Sequence, residues 1–137
     1  MIIGIGTDLV KIDRLQKSID RFGERFIERI FSPDEYDYCI KRKELASCLA
    51  KRFAAKEAFV KALGTGMRDG IWFRDIMVTN NQNGLPIISL GGITAKRLDD
   101  PDSVKIHLSL SDEGGFAQAF VILERLGKKS YEYDASN

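Results

Sequence analysis

The alanine-rich stretch from Leu45 to Leu63 is the feature that most constrains this fold. Gly64 follows it directly, and glycine is the residue that most often ends a helix. The stretch therefore predicts one long helix. Phe53, Glu57 and Lys61 recur at every fourth position, so they lie along one ridge of that helix. The ridge combines a carboxylate with an ammonium group and is the first candidate for a functional surface.

On spacing alone, Glu57 and Lys61 form a helical salt bridge that contributes about 0.2–0.5 kcal/mol. Two observations favour a binding site instead. The helix ends in Gly64-Thr65-Gly66, whose backbone can approach a ligand closely. Cations also crowd this one helix among small alanines: Lys51, Arg52, Lys56 and Lys61.

Asp8 is the natural companion of Glu57. It comes directly after an apolar segment, residues 2–6, that predicts a short buried strand. Capping the next helix is one interpretation of Asp8, and binding a metal is the other. Magnesium prefers carboxylates, waters and phosphate oxygens. Asp8 and Glu57, surrounded by lysines, therefore suit a magnesium–pyrophosphate complex.

The rest of the first half predicts helices. Apolar residues at spacings of three and four predict a helix over residues 12–30, with a bend at Gly23. A capping box formed by Ser32 and Glu35 predicts a further helix as far as Lys43. Arginines recur on one side of the first helix, either as a solvated face or as a binding face: Arg14, Arg21 and Arg25.

The second half predicts strands at residues 75–80, 85–90, 104–111 and 116–123, with a short helix over 91–98. His107, the single histidine, lies with Ser109 on the polar face of the third of these. That face is either a structural hydrogen-bonding surface or part of a ligand site. The chain is therefore expected to form one α+β domain, with helices packed on a mainly antiparallel sheet.

Composition adds few constraints. The 137 residues carry a net charge of +1, which argues neither for nor against nucleic acid. Cys39 and Cys48 are expected to be reduced, buried thiols. The N-terminus lacks the basic leader of a signal peptide, and no apolar run approaches the roughly 20 residues of a membrane span. A cytoplasmic location is the expectation.

Five segments together resemble one enzyme family, the short bacterial holo-acyl-carrier-protein synthases, which are the small class of 4'-phosphopantetheinyl transferases. The match runs over about residues 1–124 and leaves 125–137 as a polar tail. The segments are Ile3-Gly4-Ile5-Gly6-Thr7-Asp8, Phe31-Ser32-Pro33-Asp34-Glu35, Arg52-Phe53-Ala54-Ala55-Lys56-Glu57-Ala58-Phe59-Val60-Lys61-Ala62, Gly84-Leu85-Pro86 and His107-Leu108-Ser109-Leu110-Ser111-Asp112.

The resemblance implies transfer of phosphopantetheine from coenzyme A to a serine of apo acyl carrier protein. The products are the loaded carrier, for fatty acid biosynthesis, and adenosine 3',5'-bisphosphate. Asp8 and Glu57 would hold magnesium against the pyrophosphate, and Lys61 would add a fixed positive charge. The general base stays open between Glu57, Asp34 and a metal-bound water. Weaker candidates would hold coenzyme A: Arg52, Lys56, Gly64, Gly66, His107 and Ser109.

The resemblance also implies partners. The acidic carrier would dock on the first helix through Arg14, Arg21 and Arg25. A homotrimer would place Asp8 and Glu57 of one subunit opposite the later strands of its neighbour. Neither nucleic acid nor a membrane is an expected partner.

Two other functions compete with the transferase. A nucleotide pyrophosphohydrolase would also combine acids, magnesium and lysines, although such enzymes usually have richer acidic clusters. A basic-helix module that binds an acidic protein would leave residues 56–61 as a solvated helical face.

Overall fold

The structure is a computed structural model that describes residues 1–67, 70–98 and 100–127. The helices are α1 (Ile12–Phe22), α2 (Glu24–Ile30), α3 (Pro33–Ile40), α4 (Leu45–Leu63) and α5 (Gly92–Ala95), with single 3₁₀ turns at Phe73–Asp75 and Pro101–Ser103. The strands are β1 (Ile2–Lys11), β2 (Ile76–Asn80), β3 (Pro86–Leu90), β4 (Val104–Glu113) and β5 (Phe116–Arg125). The predicted α+β fold is confirmed.

All strand pairing is antiparallel in the described part of the chain. A three-stranded sheet has the order β1-β5-β4, and β2 and β3 form a separate hairpin. Helix α4 crosses the three-stranded sheet and packs on the small, fully buried side chains of β5, which include Ala117, Ala119 and Val121. The helix therefore forms the centre of the domain.

Two glycines of β1 allow this close packing. A methyl group placed at Gly4 would overlap the backbone carbonyl of Ala62, and one placed at Gly6 would overlap that of Ala58. Strand and helix thus meet backbone to backbone, which only glycine on the strand permits. The Gly4-x-Gly6 pattern is a packing device for α4.

Several predicted boundaries change in the structure. Strand β1 continues to Lys11, so Asp8 lies within a strand and not directly after one. The helix predicted over residues 12–30 divides at Gly23, whose φ of 61° is in the left-handed region. The capping box of Ser32 and Glu35 is confirmed, and the helix it begins ends at Ile40 instead of at Lys43.

The expectation of reduced thiols is wrong in this structure. Cys39 near the end of α3 and Cys48 in the first turns of α4 form a disulfide, with their Cα atoms 5.5 Å apart. This separation is normal for a disulfide. The bond ties the two helices together across the short connection at residues 41–44.

One face of the three-stranded sheet is uncovered. The opposite face packs on α4, whereas this face carries apolar side chains that remain more than a third exposed, such as Ile5, Leu9 and Phe120. Large apolar patches on a soluble domain mark interaction surfaces. We call this the outer face of the sheet.

The predicted tail, residues 125–137, lies mostly outside the described residues, although Arg125 itself ends β5. No helix in the described ranges has the length and apolar character that a bilayer crossing demands.

Candidate active site

Asp8 and Glu57 line one cavity of about 460 Å³, and Arg14 and Phe53 form part of its wall. Asp8 pairs with Ala119 of β5, which sets its side chain on the face of the sheet that packs on α4. The close contact between strand and helix therefore brings the two predicted carboxylates together.

Lys61 completes the group. Its ammonium donates hydrogen bonds to Asp8 Oδ1 at 3.0 Å and to the carbonyl oxygen of Thr7 at 2.9 Å. The side chain is still 55% exposed, whereas that of Asp8 is 17% exposed. Lys61 is thus fixed by the protein and open to a ligand.

Glu57 carries an incompletely balanced charge. Burial raises its pKa above the ordinary value, the nearby Asp8 carboxylate raises it further, and Lys61 opposes both effects. Glu57 makes no hydrogen bond with any residue in the described ranges. Two nearby carboxylates with one lysine beside them form a site that a divalent cation would stabilise.

The donor set fits magnesium and not a protein-caged metal. Within the described residues, no three His, Cys, Asp or Glu side chains converge as a metal cluster. Magnesium is usually held by one or two carboxylates and completes its shell with waters and substrate phosphates. Asp8 and Glu57 match that pattern.

A second cavity, of about 470 Å³, lies near the start of α4 and is rich in cations. Arg52 is one of the residues that line it. Its Nη2 atom donates to Asn80 Oδ1 at 2.9 Å, and its guanidinium lies 4.3 Å from the centre of the Tyr38 ring. Further lining residues supply charge and shape: Arg42, Lys43, Lys51, Gly84 and Pro86. The cavity suits an anionic ligand with a planar group.

Arg52 is buried, but its hydrogen-bond donors are not all paired with described residues. Only 4% of the residue is exposed, and burial lowers the pKa of its guanidinium below the ordinary value. Its Nε atom is buried and has no hydrogen-bond partner among the described residues. An unpaired buried donor costs about 1–3 kcal/mol, so an acceptor bound near it would recover part of that cost.

Lys56 does not fit its predicted role in holding coenzyme A. Its side chain is fully buried, and its ammonium donates to Glu35 Oε1 at 2.7 Å, to the Phe73 carbonyl at 2.8 Å and to the Ile76 carbonyl at 2.6 Å. Glu35 Oε2 in turn accepts the Val78 amide hydrogen. Lys56 is therefore a structural group that joins α4 to α3 and β2.

His107 and Ser109 lie on the outer face of the sheet, away from the cavity of Asp8 and Glu57. His107 Nε2 is 3.1 Å from Glu124 Oε1, and this hydrogen bond is the main cause of the lowered pKa of Glu124. Within one chain, His107 therefore cannot contact a ligand held by Glu57.

The other predicted residues occupy exposed positions. Asp34 lies in the first turn of α3 and lines neither cavity. Gly64, with a φ of 79°, ends α4 as predicted, and Gly66 follows it in the same turn. The exposed arginines Arg14 and Arg21 are on α1, whereas Arg25 is on α2 beyond the break.

Sequence reasoning missed Tyr38, Arg42 and Asn80 of the cation-rich cavity. Tyr38 and Arg42 lie at the end of α3, where only the tertiary fold turns them toward α4. For Asn80 no sequence signal existed, because it looks like any polar residue at the end of a strand.

Comparisons with known proteins agree with the fold and the motifs. A model of the 4'-phosphopantetheinyl transferase superfamily matches residues 4–121. A holo-[acyl-carrier-protein] synthase from Trichlorobacter lovleyi is 52% identical over 124 residues, which cover 90% of this chain and 98% of that protein.

Solved structures give the same result. The crystal structure of the holo-[acyl-carrier-protein] synthase from Neisseria meningitidis has a TM-score of 0.84 and 40% identity, covering 91% of this chain and 100% of that one. The Bacillus anthracis synthase, solved in complex with CoA (3',5'-ADP), has a TM-score of 0.76 and 37% identity, covering 91% and 98%.

Proposed function

The chain belongs to the 4'-phosphopantetheinyl transferase superfamily, as one of its holo-acyl-carrier-protein synthases, and we propose that Asp8, Glu57 and Lys61 carry its reaction. The enzyme transfers the 4'-phosphopantetheine group from coenzyme A to a serine of apo acyl carrier protein and releases adenosine 3',5'-bisphosphate. In this proposal the loaded carrier serves fatty acid biosynthesis in the cytoplasm.

One observation carries the assignment: Asp8 and Glu57 line a single cavity, and Lys61 reaches into the same group. Asp8 and Glu57 would hold magnesium, which neutralises charge on the pyrophosphate oxygens when bound. The raised pKa of Glu57 supports this, because a bound cation would relieve its unbalanced charge.

The chain's own groups have separate tasks. Lys61, fixed by Asp8 and Thr7, presents a positive charge to the phosphate that leaves with the nucleotide. Glu57 is better placed than Asp34 to accept the proton of the incoming serine, because Glu57 lines the reacting cavity. Asp34 lies outside that cavity.

The cation-rich cavity would bind the adenosine bisphosphate end of coenzyme A. Arg52, Arg42 and Lys43 supply charge for phosphate, and the Tyr38 ring and Pro86 supply flat apolar surface. The partnerless Nε of Arg52 supports a bound acceptor there. Neither Gly64 nor Gly66 lines this cavity. We therefore assign coenzyme A binding to Arg52 in preference to these two glycines.

We propose a homotrimer, because the two cavities of one chain do not face each other. The cation-rich cavity lies along β4, at one edge of the three-stranded sheet, where Ser111 and Asp112 line it, whereas Asp8 lies on β1 at the opposite edge. The exposed apolar side chains of the outer face support contact with a second subunit. In such a trimer, His107 and Ser109 of one subunit would complete the site of the next.

The carrier would dock on the face formed by Arg14, Arg21 and Arg25. None of these guanidinium groups forms an ion pair with a described residue, and Arg14 also lines the cavity of Asp8 and Glu57. Unpaired arginines attract an acidic protein and make its association sensitive to salt. Arg14 would thus connect the docking face to the reacting serine.

The test is a mass measurement. The protein is incubated with coenzyme A, magnesium and apo acyl carrier protein, and the carrier is weighed. We expect a gain of one phosphopantetheine arm, and its absence would refute the transferase. Release of nucleotide without carrier would favour a pyrophosphohydrolase, and carrier binding without any reaction would favour a binding module.

A further inference from the structure

Trp72 has an exposed side chain on an anchored backbone. It is 61% exposed, yet its amide donates to Thr94 Oγ1 at 3.1 Å, and Thr94 is fully buried. Its carbonyl accepts from the Asp75 amide at 3.0 Å. A large aromatic ring held in water by a fixed backbone is typical of a binding surface, where tryptophan is enriched.

The next residue fixes this segment to the catalytic helix. The Phe73 ring lies 5.7 Å from the Phe53 ring, and the Phe73 carbonyl accepts from the buried ammonium of Lys56. Phe53 and Lys56 both belong to α4, which carries Glu57. The position of Trp72 is therefore set by the same helix that sets the reacting group.

Trp72 forms one wall of an open groove of about 690 Å³. Arg74 lies beside it, and the opposite wall comes from the end of α1 and from α2. The groove is lined by Phe22, Arg25, Phe26, Glu28, Arg29, Trp72 and Arg74. We call it the aromatic–arginine groove.

The charge of this groove is unbalanced. Arg25, Arg29 and Arg74 face one carboxylate, Glu28, and none of the three arginines forms an ion pair or a hydrogen bond through its guanidinium with a described residue. Phe22, on the wall opposite Trp72, is 55% exposed. The groove thus offers apolar surface ringed by free positive charge, which fits an acidic helix with an apolar ridge.

We propose that Trp72 and Arg74 form the second wall of the carrier-binding cleft, opposite Phe22 and Arg25, and that an acidic helix of apo acyl carrier protein occupies it. The proposal rests on the transferase function. Carboxylates of the carrier would meet Arg25, Arg29 and Arg74, and an apolar side chain would insert between the rings of Phe22 and Trp72.

The distance between the groove and the active site is short enough for one docked domain to contact both. Arg14 lines the cavity of Asp8 and Glu57, and Phe22 lines the groove, so α1 connects the two. Eight residues of helix span about 12 Å, which is well within the roughly 30 Å diameter of a small domain. A carrier whose serine reaches Glu57 is therefore large enough to reach the groove as well.

A second copy of this chain is a poorer occupant. A two-fold contact across the groove would bring the same three arginines of both subunits together, and like charges at an interface oppose association. The uncovered outer face of the sheet, which is apolar, is the better surface for self-association.

The chain contains a single tryptophan, so its fluorescence reports on this groove alone. We expect saturating apo carrier, from a carrier without tryptophan, to reduce acrylamide quenching of Trp72 by about half or more. Coenzyme A alone should leave the quenching unchanged. Quenching that depends on enzyme concentration and not on carrier would show that a second copy covers the groove, and would overturn the proposal.

Kinetics supply the second measurement. Trp72→Ala and Arg74→Glu should each lower kcat/KM for the carrier by about tenfold, the scale of an interface hot spot, with an unchanged Kd for coenzyme A. Trp72→Phe should recover most of the loss. Lys96→Glu, an exposed charge change outside this groove, is the matched control and should match wild type.

The experiments distinguish a wrong docking site from a wrong transferase function. If wild-type enzyme loads the carrier while quenching is unaffected and both variants turn over normally, the groove is not the docking site and the function stands. If wild-type enzyme loads no carrier, the function fails and the groove proposal fails with it. If Trp72→Ala does not fold, the wild-type quenching and Arg74→Glu still decide.

Discussion

Lys61 Nζ lies 3.0 Å from Asp8 Oδ1, so the lysine of the α4 ridge forms its ion pair with β1. The carboxylate one turn earlier on the same ridge, Glu57, keeps a raised pKa although Lys61 partly compensates it. The helical salt bridge that spacing alone predicts is therefore replaced by a pair between two elements. This arrangement fixes Lys61 and leaves Glu57 free to bind a cation.

Removing either carboxylate should weaken the response to magnesium. In Asp8→Asn and Glu57→Gln we expect the magnesium concentration for half-maximal rate to rise at least about tenfold, because magnesium sites of this kind depend on one or two carboxylates. Initial rates of carrier loading over a magnesium series measure this. Circular dichroism should show an intact fold. An unchanged magnesium response in both variants would refute the ligand assignment.

The raised pKa of Glu57 predicts a dependence of stability on pH. Between the unfolded and the folded pKa the native state holds the extra proton, so the free energy of unfolding falls as pH rises through that interval. Without metal, Glu57→Gln should therefore melt about 1–3 °C above wild type near pH 8, with the gain lost at acid pH. Thermal melts of Glu57→Gln and of the exposed control Glu113→Gln measure it. A gain that persists unchanged at acid pH would exclude Glu57 titration as its cause.

Local patterns predicted much of this fold. The bounds of α4 agree with its alanine-rich stretch and its terminal glycine, and the capping box of Ser32 and Glu35 begins α3 as expected. Apolar alternation predicted β4, including the position of His107 on the face away from the core. Helices depend on residues three or four positions apart, and strands depend on side chains that alternate between two faces. Both patterns can therefore be recognised in the local sequence.

Long-range packing could not be read in the same way. Lys51, Arg52, Lys56 and Lys61 looked equivalent as helical cations, yet Lys56 is fully buried because Glu35 and two backbone carbonyls from other elements receive it. Likewise, the spacing of Cys39 and Cys48 does not reveal that α3 packs against α4. This packing brings the two sulfur atoms together to form the disulfide. Such contacts depend on which elements pack together.

The buried pair of Lys56 and Glu35 should be a stability element. Burial lowers the pKa of Lys56, and the Glu35 carboxylate opposes that shift. Lys56→Met leaves the Glu35 charge buried without its cation, which costs about 3–5 kcal/mol of unfolding free energy. Urea denaturation of Lys56→Met, Glu35→Gln and the double variant measures it. The double variant should lose clearly less than the sum of the two single losses.

A different outcome would restore the ligand role of Lys56. If Lys56→Met unfolds at the wild-type urea concentration while its KM for coenzyme A rises, the lysine acts on the substrate and not on the fold. Lys51→Met, on the same helix but partly exposed, is the matched control for the unfolding measurement only, because Lys51 also lines the cation-rich cavity.

Mixed trimers should restore activity between two inactive variants. Asp8→Asn damages the carboxylate site, and His107→Ala damages the outer face that would meet the neighbouring site. Equal amounts of the two subunits mixed before refolding should regain up to about a quarter of wild-type activity, because one interface in each mixed trimer pairs an intact Asp8 with an intact His107. Carrier loading by the mixture, with each variant alone as control, measures this. No recovery in stable mixed trimers would place both residues in one subunit's site.

Gly6 should control the distance between β1 and α4, and through it the geometry of Asp8. A methyl group at this position would overlap the Ala58 carbonyl, which belongs to the helix backbone and cannot rotate away. Gly6→Ala should therefore destabilise the protein by about 1–3 kcal/mol, the usual cost of overpacking. Activity should fall further than stability explains, because separating strand from helix moves Asp8 away from Glu57 and Lys61. Gly127→Ala, where no atom lies within 4 Å of the added carbon, is the control. Wild-type magnesium dependence in a folded Gly6→Ala variant would show that the backbone contact does not set the carboxylate site.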